Sequence, residues 1–279
     1  MPKLIDTHSH LHFKPYDEDR TDVLNRMKEN DVRTITVGTA VETSRSAIEL
    51  AESSDLVWAA VGYHPDHCTS SHVDEDEGEV HDFSLKQIET LAHSSKRVVA
   101  IGEIGLDFHH IDKEWNLDDA KEAQKKVFIE QLQLANDMNL PVIIHCRDAY
   151  EELAQVIQDR ATAGFKVRGV MHCFGQSWDV AKIFLDLGLH LSFTGTITFK
   201  PRAKDDPAKH VHRVIEMMPE ERLMIETDAP WLAPDPFRGK RNEPIYVEHI
   251  AKKVAELRGM TFEQVAKLTT KNAEEFFRI

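Results

Sequence analysis

The sequence predicts an α/β fold, a (β/α)8 barrel, in a single domain spanning residues 1–279, and three observations point to it. Eight short β-branched or apolar runs alternate with stretches of helical periodicity. Spread over the chain, the repeat averages roughly 35 residues, the size of one β/α unit. A His, Glu or Asp recurs where these runs end, which is where this fold gathers functional side chains. A doubly wound open sheet competes, but it usually opens with a glycine-rich phosphate loop, and the chain has none.

In order, the strand-like runs are Lys3–Thr7, Thr34–Thr39, Val57–Gly62, Val98–Ile104, Pro141–His145, Gly169–His172, Leu189–Thr194 and Leu223–Glu226. Between them, Asp19–Asn30, Val41–Ser53, Leu85–Ser94, Asp118–Asn139, Ala149–Ala161 and Trp178–Leu187 carry apolar residues at helical spacing. In the longest, Val127, Phe128, Leu132, Leu134 and Ala135 keep one face apolar, while Glu130, Asp137 and the lysines lie elsewhere. Two helices close the chain. Ile245, Ile250, Val254 and Leu257 mark the first, Gly259 stops it, and Thr261 with Gln264 forms a capping box for the second. Asn272 and Phe276 read as anchors of that last helix.

Bulk composition narrows the function. Apolar content of 41% with 29% charged residues is that of a globular protein with a sizeable core. No apolar run approaches the length of a membrane span, and the start lacks a basic region followed by an apolar stretch, so neither membrane nor secretory signal is expected. Cys68, Cys146 and Cys173 are odd in number without C-x-x-C spacing, which reads as thiols of a reducing compartment and a cytoplasmic location. The net charge of −14 argues against broad nucleic-acid binding, yet leaves room for a phosphorylated substrate at a local patch. Bound cations would supply the missing positive field. The acidic run from Asp74 to Glu79 reads as a solvated loop, and nothing marks an obligate protein partner.

The six candidate metal ligands are His8 and His10 in LIDTHSH, Glu103 in VVAIGEIGLD, His145 in PVIIHCR, His172 in GVMHCF and Asp228 in LMIETDAP. The spacing His8-x-His10 fits a strand's period of two and points both rings the same way. Imidazoles with carboxylates suit divalent ions, and six groups exceed what one tetrahedral ion needs. Hence two divalent ions per subunit are expected, as Mg2+, Mn2+ or Zn2+. Glu103, midway round the barrel mouth, is the natural bridge between them. His8, His10 and Asp228 would hold one ion, and His145 with His172 the other. A water between the ions would ionise near neutral pH and attack as hydroxide, with Asp228 able to take its proton. Related barrel hydrolases often bridge with a modified lysine on the fourth strand, but Lys96 precedes that strand, leaving Glu103 for the position. Candidate substrate groups are His64 in VGYHP, Arg147 two residues past His145, Lys200 in GTITFK and Arg241 in GKRNEP. Four such groups around the mouth favour a phosphoester over a neutral amide.

The segments DTHSHL, VGYHP, GEIGLD, IIHCRDA, MHCF, ETDAPWL and GKRNEP, in order and from end to end, resemble the TatD family of metal-dependent deoxyribonucleases. That resemblance implies a TIM barrel of the metal-dependent hydrolase superfamily, related to amidohydrolases. It implies a DNA exonuclease acting on single-stranded ends, with a place in DNA repair or turnover. It also implies that His8, His10, Glu103, His145, His172 and Asp228 ligate metal, and that His64 and Arg147 face the scissile phosphate.

The competing reading is an amidohydrolase-type enzyme cleaving a small amide, lactone or phosphoester with the same metal core, which the acidic surface favours. A non-catalytic binding protein would be expected to have lost ligands, and none is lost. His12 and His109 read as surface-loop residues, Cys146 and Cys173 as packing residues facing outer helices. Arg147 has a structural alternative, pairing with Asp148 or Glu151. Trp231 reads equally as a stacking platform or as packing.

Overall fold

The structure, a computed structural model, describes residues 4–69, 82–200, 206 and 210–279. Lys3, His72, His81 and the acidic run from Asp74 to Glu79 lie outside the described residues. The strands are β1 (Leu4–Ser9), β2 (Val32–Val37), β3 (Val57–Val61), β4 (Val98–Asp107), β5 (Val142–Arg147), β6 (Gly169–Met171), β7 (His190–Phe193) and β8 (Leu223–Ile225). The helices are α1 (Arg20–Glu29), α2 (Val41–Ser53), α3 (Asp66–Thr69), α4 (Leu85–Ser94), α5 (Leu117–Asp137), α6 (Tyr150–Thr162), α7 (Trp178–Asp186), α8 (Val211–Met217), α9 (Val247–Arg258) and α10 (Phe262–Phe277). Every strand-like run and helical stretch of the sequence is present, with ends shifted by up to three residues. Two short helices, α3 and α8, were not anticipated, because a stretch of four to seven residues is too short to show a period.

All eight strands belong to one sheet in the order β1-β2-β3-β4-β5-β6-β7-β8, that of a (β/α)8 barrel. Strands buried on both faces explain the near-continuous apolar runs: every residue of β1, β3 and β4 is buried. Contacts group the chain into two compact units, one made of residues up to Leu11, Tyr16–Ile35 and His172–Ile279, the other of His12–Pro15 and Thr36–Met171.

Within the first unit, β7 pairs in parallel with β8, from Leu191 opposite Leu223 to Phe193 opposite Ile225. Ser9 at the end of β1 bridges Ala229 just past β8, so the chain's first and last strands are neighbours. Helix α9 ends at Gly259 in the left-handed conformation (φ 64°), and the capping box of Thr261 and Gln264 starts α10 as the sequence indicates. Asn272 anchors α10 by donating to the Glu220 and Leu223 carbonyls at 2.7 and 2.8 Å.

Within the second unit, β3, β4, β5 and β6 pair in parallel. Ten residues long, β4 runs three beyond the sequence boundary because the residues after Ile104 keep pairing with β5, Asp107 opposite Arg147. Gly105 permits this: its φ is 153°, and a Cβ there would collide with the His145 carbonyl oxygen.

Two tests follow. Gly105→Ala should cost more than about 3 kcal/mol in denaturant unfolding, a size reserved for backbone clashes and comparable defects; a loss within 0.5 kcal/mol would contradict the close approach. His190, packed on Phe276 at 4.5 Å, is pulled down to about 4 by burial and then by Arg222. The unfolded chain therefore takes a proton there, near pH 6.5, before the folded one does, so stability should fall as pH drops from about 7 towards 4. His190→Gln should flatten part of that slope in thermal melts across the range.

Two candidate metal-binding clusters

In the first unit, His8 in β1 and His10 one residue past its end bring their rings together, with Nε2 atoms 3.1 Å apart and side chains 0% and 2% exposed. Asp228 Oδ1 lies 3.7 Å from His8 Nε2 and 3.6 Å from His10 Nε2. The His172 ring stacks on His8 with centroids 3.9 Å apart. Ligand bonds of roughly 2.0–2.2 Å place neighbouring donor atoms about 3–3.4 Å apart, so this set fits one divalent ion with small adjustment. Asp228 takes a left-handed conformation (φ 57°), strained for a residue with a side chain, while its amide donates to the His8 carbonyl at 2.9 Å. Burial pushes the Asp228 carboxyl up, but His172, His10 and His8 outweigh it and hold the group below the usual carboxylate range. Beneath the rings, Asp6 accepts from Thr34 Oγ1 at 3.1 Å and from Thr227 N and Oγ1 at 2.8 and 2.7 Å.

In the second unit, β4 carries Glu103, β5 carries His145, and His64 follows three residues past the end of β3. Glu103 Oε1 lies 2.9 Å from His145 Nδ1 and 3.4 Å from His64 Nε2, giving two imidazoles and a carboxylate, again a donor set suited to a divalent ion. Burial pushes the His145 ring down, yet hydrogen bonds to Asp107 and Glu103 raise it to about 10. Arg147 is exposed, and its Nη1 sits 3.3 Å from His110 Nε2 rather than on Asp148 or Glu151.

Several residues stand where the sequence did not place them. His64 falls within the second donor set. Arg241 grips Asp19 with both terminal nitrogens at 2.7 and 2.6 Å, reaches Glu243 at 3.3 Å and covers the Tyr16 ring, which is a structural anchorage rather than a substrate-facing fork. Lys200 is exposed just past the turn Gly195–Thr198. His12 is buried, with Nδ1 2.7 Å from Thr36 Oγ1, so it is no surface-loop residue; it lies in the turn past β1 and packs inward there. Cys173 adopts φ 47°, and its amide meets Glu226 at 2.6 Å within reach of His172 and Asp228. Beyond Met171 the strand has ended, so alternation no longer directs Cys173 to the helices. His109 is exposed and paired with Asp148 at 2.9 Å, as a loop residue should be. Trp231 meets the His10 ring edge-on at 5.1 Å.

Two groups escaped sequence reasoning. Asp107 Oδ2 lies 3.0 Å from His145 Nε2, and Glu226 Oε1 lies 2.9 Å from His172 Nδ1. Both were legible in principle. Asp107 is two steps of alternation past Glu103, and Glu226 is two residues before Asp228.

Residues 5–278 match the family model described as TatD related DNase. A Bacillus subtilis (strain 168) relative, named an uncharacterized metal-dependent hydrolase, YabD, is 42% identical over 277 residues, covering 99% of each chain. The 3'-5' ssDNA/RNA exonuclease TatD of Pantoea ananatis is 33% identical, covering 98% of this chain and 99% of its own. Among solved structures, the TatD homologue YJJV of Escherichia coli K12 superposes with a TM-score of 0.82 at 30% identity, covering 100% of this chain and 99% of that one. The fold class is thus that of the TIM barrel, and the chain belongs to the TatD-related DNase family of metal-dependent hydrolases.

Proposed function

We propose that the chain is a deoxyribonuclease that hydrolyses phosphodiester bonds at DNA ends, single-stranded ends preferred, using two divalent ions. The observation that carries this reading is the pair of clusters, His8, His10 and Asp228 in one and His64, Glu103 and His145 in the other, each with a donor set for one ion. Mg2+, Mn2+ or Zn2+ would lower the pKa of a water and offset charge on the phosphate. In this reading Glu103, with His64 and His145, would hold one ion, and His172, stacked on His8, would complete the ligands of the other. Asp228, held ionised below the usual carboxylate range, accepts the proton of the attacking water. Arg147, exposed and planar, offers a fork to the phosphate, and Lys200 a more distant positive charge. His64 is assigned to the ligand set with Glu103 rather than to substrate alone. Arg241, held by Asp19 and Glu243, is assigned to neither.

The name of the Pantoea relative supports a single-stranded nucleic acid as substrate and 3′-to-5′ polarity. Three cysteines outside any disulfide fit a cytoplasmic setting, where such an enzyme would serve DNA repair or turnover. No helix among the described residues is long and apolar enough to cross a membrane. The net charge of −14 favours a second reading, hydrolysis of a small phosphoester, amide or lactone by the same clusters.

Single-stranded DNA labelled separately at its 5′ and 3′ ends decides between them. Metal-stripped protein should leave it intact, and added Mg2+ or Mn2+ should produce a ladder whose labelled end gives the polarity. Glu103→Gln should slow that ladder by roughly two orders of magnitude or more, since even residues that only support ligands cost 10–100-fold. An intact substrate with metal-loaded protein sinks the DNA reading and favours the small-substrate one. Arg147→Ala should raise KM for a phosphodiester by roughly 10-fold or more, the value of a charge-assisted hydrogen bond, at unchanged metal content. Unaltered kinetics would remove Arg147 from the substrate site.

A further inference from the structure

Beside each cluster a buried carboxylate faces a ring nitrogen of one histidine, Asp107 that of His145 and Glu226 that of His172. We propose that Asp107 and Glu226 are positioning residues, each fixing the ring orientation of a metal-binding histidine, His145 and His172 respectively. The inference rests on the metal-binding reading above.

The geometry around Asp107 is fully specified. Its side chain is 0% exposed; Oδ1 accepts from the His109 and His110 amides at 2.7 and 3.0 Å, and Oδ2 meets His110 Nδ1 and His145 Nε2 at 2.9 and 3.0 Å. Gln124 pins the backbone at the same residue, accepting from Asp107 N at 2.9 Å and donating to its carbonyl at 2.7 Å. A carboxylate held so firmly dictates where the ring proton sits: an ionised carboxylate accepts hydrogen bonds and donates none, so His145 Nε2 carries the proton. Glu103 faces Nδ1 at 2.9 Å and by the same rule holds a proton there when no ion is bound; an ion would displace that proton and take Nδ1 as its ligand.

Glu226 does the same with the opposite nitrogen. Its side chain is 1% exposed, and Oε1 takes the Cys173 amide at 2.6 Å and His172 Nδ1 at 2.9 Å, while Oε2 accepts from Thr7 Oγ1 at 3.4 Å. Hence His172 presents Nε2. The two carboxylates thus hold opposite nitrogens of their histidines, Nε2 of His145 and Nδ1 of His172, and each raises the basicity of the other ring nitrogen. Asp66, Asp107 and His110 also bring three donor atoms together. Arg147 Nη1, 3.3 Å from His110 Nε2, places a positive charge where a further cation would be repelled, so that group reads as support for Asp107.

Calorimetric titration of Mn2+ into the metal-stripped full chain tests the proposal, with thermal melting of the metal-free protein as control. Asp107→Asn and Glu226→Gln keep shape but lose charge; each should weaken one class of Mn2+ site by about 10–100-fold with little change in metal-free melting. Glu226→Asp, which restores charge on a shorter arm, should recover part of the affinity. A merely structural role would lower melting and leave affinity at the wild-type value, and that outcome overturns the proposal. Should Glu226→Gln not fold, Asp107→Asn alone carries the same two outcomes in the other cluster. If the wild-type chain itself takes up no Mn2+, the metal-binding reading fails, which is a different result.

Discussion

Charged groups buried at the ends of a sheet whose strands are covered on both faces set the terms for everything at the two clusters. Glu103, Asp107 and Glu226 are 3%, 0% and 1% exposed, and His8 is 0% exposed. An ionised carboxylate left alone in such surroundings costs several kcal/mol, far more than one hydrogen bond returns. The fold meets this cost by pairing: each of these three carboxylates faces an imidazole within about 3.5 Å and, for Asp107 and Glu226, backbone amides as well. Groups that must satisfy one another are also fixed with respect to one another, which is what ligation of an ion requires.

The clusters reach similar chemistry by different routes. In the first unit two rings come from β1 and the residue just past its end, so their 3.1 Å separation is set within three consecutive residues. In the second, one ligand lies in β4, one in β5 and one past β3, and their spacing depends on strand register, with Gly105 opposite His145. Asp228 is anchored differently again, in a left-handed conformation tied by its amide to the His8 carbonyl. That tie fixes the carboxylate relative to the strand carrying both rings, so the first donor set is rigid by backbone as well as by side chain.

Much of this was legible in the sequence, because buried parallel strands write themselves as apolar runs and helices as a 3.6-residue period. The capping box at Thr261 and the stop at Gly259 were equally plain, since their chemistry is local. The strand-end position of His8, His10, Glu103 and His145 needed only the period of two. What failed was reasoning past a strand's end. Alternation sends Cys173 outward only while β6 lasts, and β6 ends at Met171; His12 lies in a turn past β1, where no period tells that its ring meets Thr36. Arg241 illustrates a second limit: whether a guanidinium meets substrate or Asp19 depends on a partner more than two hundred residues away, which no local pattern encodes. Asp107 was hidden because β4 was ended at Ile104, and a strand kept three residues longer would have placed Asp107 on the face of Glu103.

Along β4 the face that carries Glu103 and Asp107 has glycine at the middle position, and that gap shapes how the site can change. With no side chain between them, both carboxylates reach opposite nitrogens of the single His145 ring. Position 105 thereby acts as a spacer, and its emptiness is what lets one imidazole serve two acids. Drift at this position is closed to any larger residue, while drift at 103 or 107 is open but alters the electron density on the ring. Tuning of metal preference over evolutionary time is therefore channelled into the two acids that flank the spacer, a narrow route imposed by backbone packing rather than by the chemistry of the ion.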